Sequence, residues 1–144
     1  MNENMIAEIV KRVLVEMGVG GLQTCRDPGS GVMSVSGKSV QLEPFDTGTP
    51  GDKVFLKDII TSKDNNNIAA GFMTIEKCEF PWTLTYDEID YVIEGELTIK
   101  VVGGKDIVGK AGDVIMIPKN TSIKFSALDY ARFIYVTYPA NWAD

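Results

Sequence analysis

The chain has 144 residues, with 14 Lys plus Arg against 20 Asp plus Glu for a net charge of −6, 44% apolar residues, two cysteines and no histidine. Without an imidazole there is no Ser-His-Asp or Cys-His nucleophile, no His-ligated zinc, no facial-triad iron and no histidine proton shuttle, so any chemistry runs on carboxylates, lysines, tyrosines and backbone. The acidic balance and the lack of a basic stripe argue against a nucleic-acid partner, and no apolar run approaches the ~18 residues of a membrane span.

Met1-Asn2-Glu3-Asn4 lacks the basic start of a secretory signal, so the chain reads as cytoplasmic, with Cys25 and Cys78 as free thiols. From Met5 to Met17, Ile6, Ile9, Val10, Val13, Leu14 and Met17 recur on one helical face, and Glu8, Lys11, Arg12 and Glu16 take the other. This predicts a short amphipathic helix ending at Gly18. The stretch from Gly18 to Gly31 then has the composition of a flexible linker. Beyond it the period becomes alternating. Strands are predicted at Val32–Val35, Ser39–Leu42, Val54–Ile60, Ile68–Glu76, Ile89–Ile93, Leu97–Val102, Val114–Ile117, Ser122–Phe125 and Ala131–Tyr138. Turn chemistry separates them at Asp64 to Asn67, Glu94-Gly95, Gly103-Gly104, Ala111 to Asp113 and Pro118 to Asn120. Many short strands so spaced predict an all-β sandwich, barrel or jelly roll with one helix outside it, divided into residues 1–31 and 32–144.

Two spaced motifs carry a resemblance. Glu88, six residues, Gly95 and an apolar strand form the first; Gly112, five residues and Pro118 form the second. They resemble the paired motifs of the cupin superfamily, G-x5-H-x-H-x3/4-E-x6-G and G-x5-P-x-G-x2-H-x3-N, which implies a jelly-roll β-barrel. Gly95 suits a tight hairpin, and Gly112-Asp113 turns into a strand that Pro118 ends. The metal-binding histidines of that pattern fall here on Trp82 and Leu84, or on Pro81 and Thr83, and on Ile123. Of the four ligands only Glu88 remains, so the expectation is a cupin scaffold with no bound transition metal. The longer stretches Phe80 to Asp90, Ala111 to Lys119 and Tyr138 to Trp142 resemble the EutQ family of ethanolamine-utilization proteins within that superfamily. The resemblance implies association with a bacterial microcompartment, a homodimer, a small-molecule ligand in the barrel, and acetate kinase activity using Mg-ATP. A non-catalytic adaptor of the microcompartment is the alternative.

If Glu88 points into the barrel, strand parity sends Tyr86, Asp90, Trp82 and Leu84 inward with it. Two carboxylates about 7 Å apart on one buried face raise at least one pKa, which makes Glu88, Asp90 and Tyr86 the candidate catalytic group. A bulge turning Asp90 to solvent, or a purely structural polar network, is the alternative. For a phosphoryl-transfer reading, Lys119 at the barrel mouth and Arg132 on the last strand are the candidate phosphate contacts, with Trp82 at the substrate. The run Gly31 to Ser39 is one residue too long for a phosphate-binding loop, and it opens a strand. The helix at residues 5–17 either packs on its own barrel or docks on shell proteins; the few basic residues on its polar face argue against a membrane surface.

Overall fold

The computed structural model describes residues 3–16, 21–65 and 67–143. They fall into two units, Met1–Gln41 and Leu42–Asp144. The first unit contains α1 (Glu3–Glu16), β1 (Thr24–Arg26), β2 (Met33–Val35) and a single 3₁₀ turn at Gly37–Ser39. Met17 and Gly18 to Gly20, assigned by sequence to the helix end and linker, lie outside the described residues, as do the side chains of Val13 and Leu14. On α1, Ile6, Ile9 and Val10 are 45–50% exposed. No described helix is long and apolar enough to cross a membrane.

The unit boundary lies beyond the 31/32 division read from composition, and the reason is local. Val32–Val35, read as a barrel strand, supplies β2, which pairs antiparallel with β1 through Cys25 and Ser34. Ser39–Leu42 is not a strand. The Ser39 hydroxyl donates to the Ser36 carbonyl at 2.7 Å and accepts the Gln23 N–H at 2.8 Å, holding a turn where alternation predicts extension.

The second unit is one antiparallel sheet ordered β3 (Glu43–Pro44), β4 (Lys53–Ile60), β5 (Ala69–Leu84), β9 (Thr121–Tyr138), β6 (Asp87–Val101) and β7 (Asp106–Lys110), with β8 (Val114–Ile117) also on β6. It curls in jelly-roll fashion around one core that includes Ile75, Leu84, Val92, Leu97, Ile99 and Phe133. Three strands, β5, β6 and β9, are longer than the sequence suggests, because bulges bend them without ending them, in β6 at the Glu94-Gly95 turn signal. In β5 the register shifts between Glu76 and Cys78, at Lys77 with φ +50°. Inward parity is odd before it, at Met73 and Ile75, and even after it, at Phe80 and Leu84. A second shift in β6 spans Gly95.

Gly95 is therefore not a hairpin turn but an interior bulge. Its φ is +74°, and an added Cβ would run into the Tyr130 carbonyl, so only glycine admits both the dihedral and the close approach to β9. Gly112 does turn the chain, with φ +96° and the Asp113 N–H donating to the Lys110 carbonyl at 2.8 Å. The long strands matter for function because the even parity set by Lys77 continues through Leu84, Tyr86, Glu88, Asp90 and Val92, all buried.

Candidate functional site

Glu88 and Asp90 are 5% and 0% exposed. Each sits at an inward position of β6, opposite Thr137 and Tyr135 of β9 and Ile117 and Ile115 of β8. Beside them Tyr86 is also buried, and its phenol oxygen accepts the Trp82 indole N–H at 2.7 Å. Glu88 Oε2, both Asp90 carboxylate oxygens and Thr137 Oγ1 are buried with no hydrogen-bond partner among the described residues. Four orphaned oxygens in one place are costly, and protonation relieves part of that cost. Burial, then the Glu88 charge, raises Asp90 far above the usual carboxylate range, and burial pushes Glu88 up to about 7. Asp90 thus keeps its proton at neutral pH, two residues along the strand from the Glu88 carboxyl.

Glu88 reaches a small cavity whose inner walls are Met73, Phe80, Phe125 and Tyr135. Its mouth carries Phe45, Trp82 and Trp142, whose ring centroids lie 5.8–6.4 Å apart. Room for water-sized occupants amounts to about 20 Å³, within about 280 Å³ of space that includes the open mouth. One polar head enters; a nucleotide does not. Asp58 of β4 ties the wall together. It accepts the Tyr135 hydroxyl and, at 3.0 Å, the Trp142 indole N–H. Burial and the bond to Asp58 raise the Tyr135 pKa, and burial followed by the Glu88 charge raises that of Tyr86, so both phenols stay protonated. Asp58, Tyr135, Phe45, Thr137 and Trp142 were not among the residues singled out from sequence as a site. Asp58 left one signal, a carboxylate at the inward parity of Val54 and Leu56.

The family model for "Ethanolamine utilisation protein EutQ" matches residues 1–144. The chain belongs to the EutQ family. It is 39% identical over 150 residues to acetate kinase EutQ of Clostridioides difficile, covering 99% of this chain and 95% of that protein. It is 42% identical over 146 residues to acetate kinase EutQ of Salmonella typhimurium, where it spans only 63% of the relative's length. The solved structure of the Clostridium difficile EutQ protein superposes with a TM-score of 0.80 at 42% identity, covering 87% of this chain and 92% of that one. An RmlC-like cupin from Shewanella frigidimarina, with TM-score 0.58 and 19% identity over 74% of this chain and 89% of that chain, shares the fold alone.

A cupin fold implies a metal, and the EutQ-family residues here do not fit a transition metal. The chain has no histidine, and among the described residues no three His, Cys, Asp or Glu side chains converge as a ligand set. What lies around Glu88 is a protonated carboxyl, a threonine and two neutral phenols, which supply neither the charge nor the nitrogen or sulfur donors such metals take.

The fold brings Glu88, Asp90, Tyr86 and Trp82 together but does not bring Lys119 or Arg132 to them. Lys119 is exposed just after β8, with its backbone N–H donating to Asp87 at 2.8 Å. Arg132 has the outward parity between Ala131 and Phe133, and its guanidinium lies 5.2 Å from the centroid of the Phe72 ring. Neither side chain lines the Glu88 cavity.

Proposed function

We propose that this EutQ-family chain is an acetate kinase of bacterial ethanolamine utilization, transferring the γ-phosphoryl group of Mg-ATP to acetate and working in a microcompartment. The observation that carries the reading is the buried, protonatable Glu88 carboxyl lining a cavity sized for one polar head. The relative from Clostridioides difficile, matched over 95% of its length, is named an acetate kinase, which supports the same reaction here.

In this reading one acetate oxygen enters the chamber and accepts a hydrogen bond from protonated Glu88, which keeps its proton, as a carboxylic acid kept neutral by an apolar site donates to an anion. The methyl group rests on Met73 and Phe80, and the second oxygen faces the mouth. That oxygen forms the new bond to the γ-phosphorus while the bond from phosphorus to the β,γ-bridging oxygen breaks, giving acetyl phosphate and ADP. Mg²⁺ arrives with the nucleotide as part of the substrate, and the nucleotide stays outside the barrel. Asp90 holds the Glu88 carboxyl in place. Tyr86 and Trp82 form one side of the entry, and the Asp58 bonds to Tyr135 and Trp142 hold the other. The test is ADP and hydroxylamine-trapped acetyl phosphate formed from Mg-ATP on addition of acetate. No acetate-dependent product would overturn the assignment.

The half-exposed Ile6, Ile9 and Val10 of α1 support docking of the helix on an apolar shell-protein surface. Deleting residues 1–18 is expected to leave the melting temperature of the protein unchanged and to abolish co-purification with shell proteins. A large loss of thermal stability with co-purification intact would contradict this role.

A further inference from the structure

We propose that the chamber beneath Trp82 and Trp142 also binds a small primary alkylammonium ion, with the ammonium head on Glu88 and the chain in the aromatic mouth. This goes beyond the kinase reading and does not depend on it.

Three features of the chamber point to a cation with N–H donors. Glu88 is the one carboxyl that lines it, Asp58 lies behind Tyr135 and Trp142 as their hydrogen-bond acceptor, and no lysine or arginine is among its lining residues. Above pH about 7, where Glu88 is ionised, such a setting attracts positive charge. The orphaned Glu88 Oε2 asks for a donor, and Tyr86 and Tyr135 line the same cavity. An ammonium group has three donors and no acceptor, so it satisfies Glu88 and leaves none of its own bonds without a direction to take. The mouth supplies the rings of Phe45, Trp82 and Trp142, the environment in which an organic cation gains from aromatic quadrupoles.

Size narrows the class. With about 20 Å³ for water-sized occupants, the chamber takes –NH3⁺ and not a quaternary ammonium. Bare metal cations are disfavoured for a different reason. They require six or more oxygens, whereas the cavity wall offers one carboxyl and two phenols.

The experiment is a thermal-shift titration of the full chain at pH 8 and constant ionic strength, which reads binding whether or not phosphoryl transfer occurs. The probes are ethanolammonium chloride, ethylene glycol as its neutral counterpart, tetramethylammonium chloride without N–H donors, and sodium and potassium chloride. Ethanolammonium alone is expected to raise the melting temperature in a saturable way. Glu88→Gln, which keeps the shape and removes the charge, is expected to weaken the apparent affinity at least 10-fold, and Trp82→Leu several-fold. Equal shifts with tetramethylammonium or sodium, no shift with ethanolammonium, or an unaltered shift in Glu88→Gln would each overturn the proposal.

Discussion

Glu88→Leu is expected to lower kcat/KM for acetate by ~10² while the protein remains folded. A charge-assisted hydrogen bond to a desolvated carboxylate is worth about 2–3 kcal/mol, and the leucine leaves the entering acetate oxygen without a donor. The fold tolerates the change because an apolar side chain of similar length replaces a buried group that had no protein partner at Oε2. Steady-state assays with acetate and Mg-ATP read the rate, and far-UV circular dichroism reads the fold. Full activity in this variant would remove Glu88 from the acetate site.

Asp90→Asn is expected to melt higher than the parent at pH 8 and to flatten the dependence of stability on pH. Glu88 and Asp90 both bind protons more tightly in the folded chain than in the unfolded one. Their contribution is therefore complete below the ordinary carboxylate range, near pH ~4, and is lost as pH rises through about 7 for Glu88 and higher still for Asp90. Moving Glu88 from 4.5 to about 7 corresponds to roughly 3 kcal/mol of lost stability at high pH. For a barrel of this size that is on the order of 10 °C in melting temperature between pH 5 and pH 9. The asparagine amide keeps the shape, donates to Glu88 and has no proton to lose. Calorimetry across that pH range on the parent and on Asp90→Asn checks both expectations. A parent protein whose stability rises from pH 5 to pH 9 would have the sign reversed.

Much of this site is local in origin and so was readable from the chain. Trp82, Leu84, Tyr86, Glu88 and Asp90 alternate along a single run, and a period of two is enough to place them on one face. The bulges were not readable. Lys77 adopts a left-handed dihedral with an ordinary side chain, and Glu94-Gly95 has the composition of a hairpin turn yet lies within β6. Only pairing with β9 fixes the strand there, and that pairing joins Gly95 to Ala131 across a long stretch of sequence. β7, Asp106–Lys110, escaped notice because a short, mostly exposed strand has little alternation to show. The mouth was hidden for the same non-local reason. Asp58 and Trp142 meet only when β4 and the C-terminal segment close over Tyr135, and no spacing in the sequence announces that meeting. Arg132 is another case: it lies one position off the inward parity of Ala131 and Phe133, and that parity is set by the pairing of β9.

The central claim is that Glu88, as a buried acid, receives the acetate. It is tested most directly by kcat/KM for acetate from pH 5.5 to pH 9 in the parent and in Glu88→Gln. The parent is expected to lose about tenfold per pH unit above about 7, where Glu88 gives up the proton it offers to acetate, and the glutamine variant, a donor at every pH, is expected to show no such fall. A flat profile in the parent, or the same fall in Glu88→Gln, would contradict it.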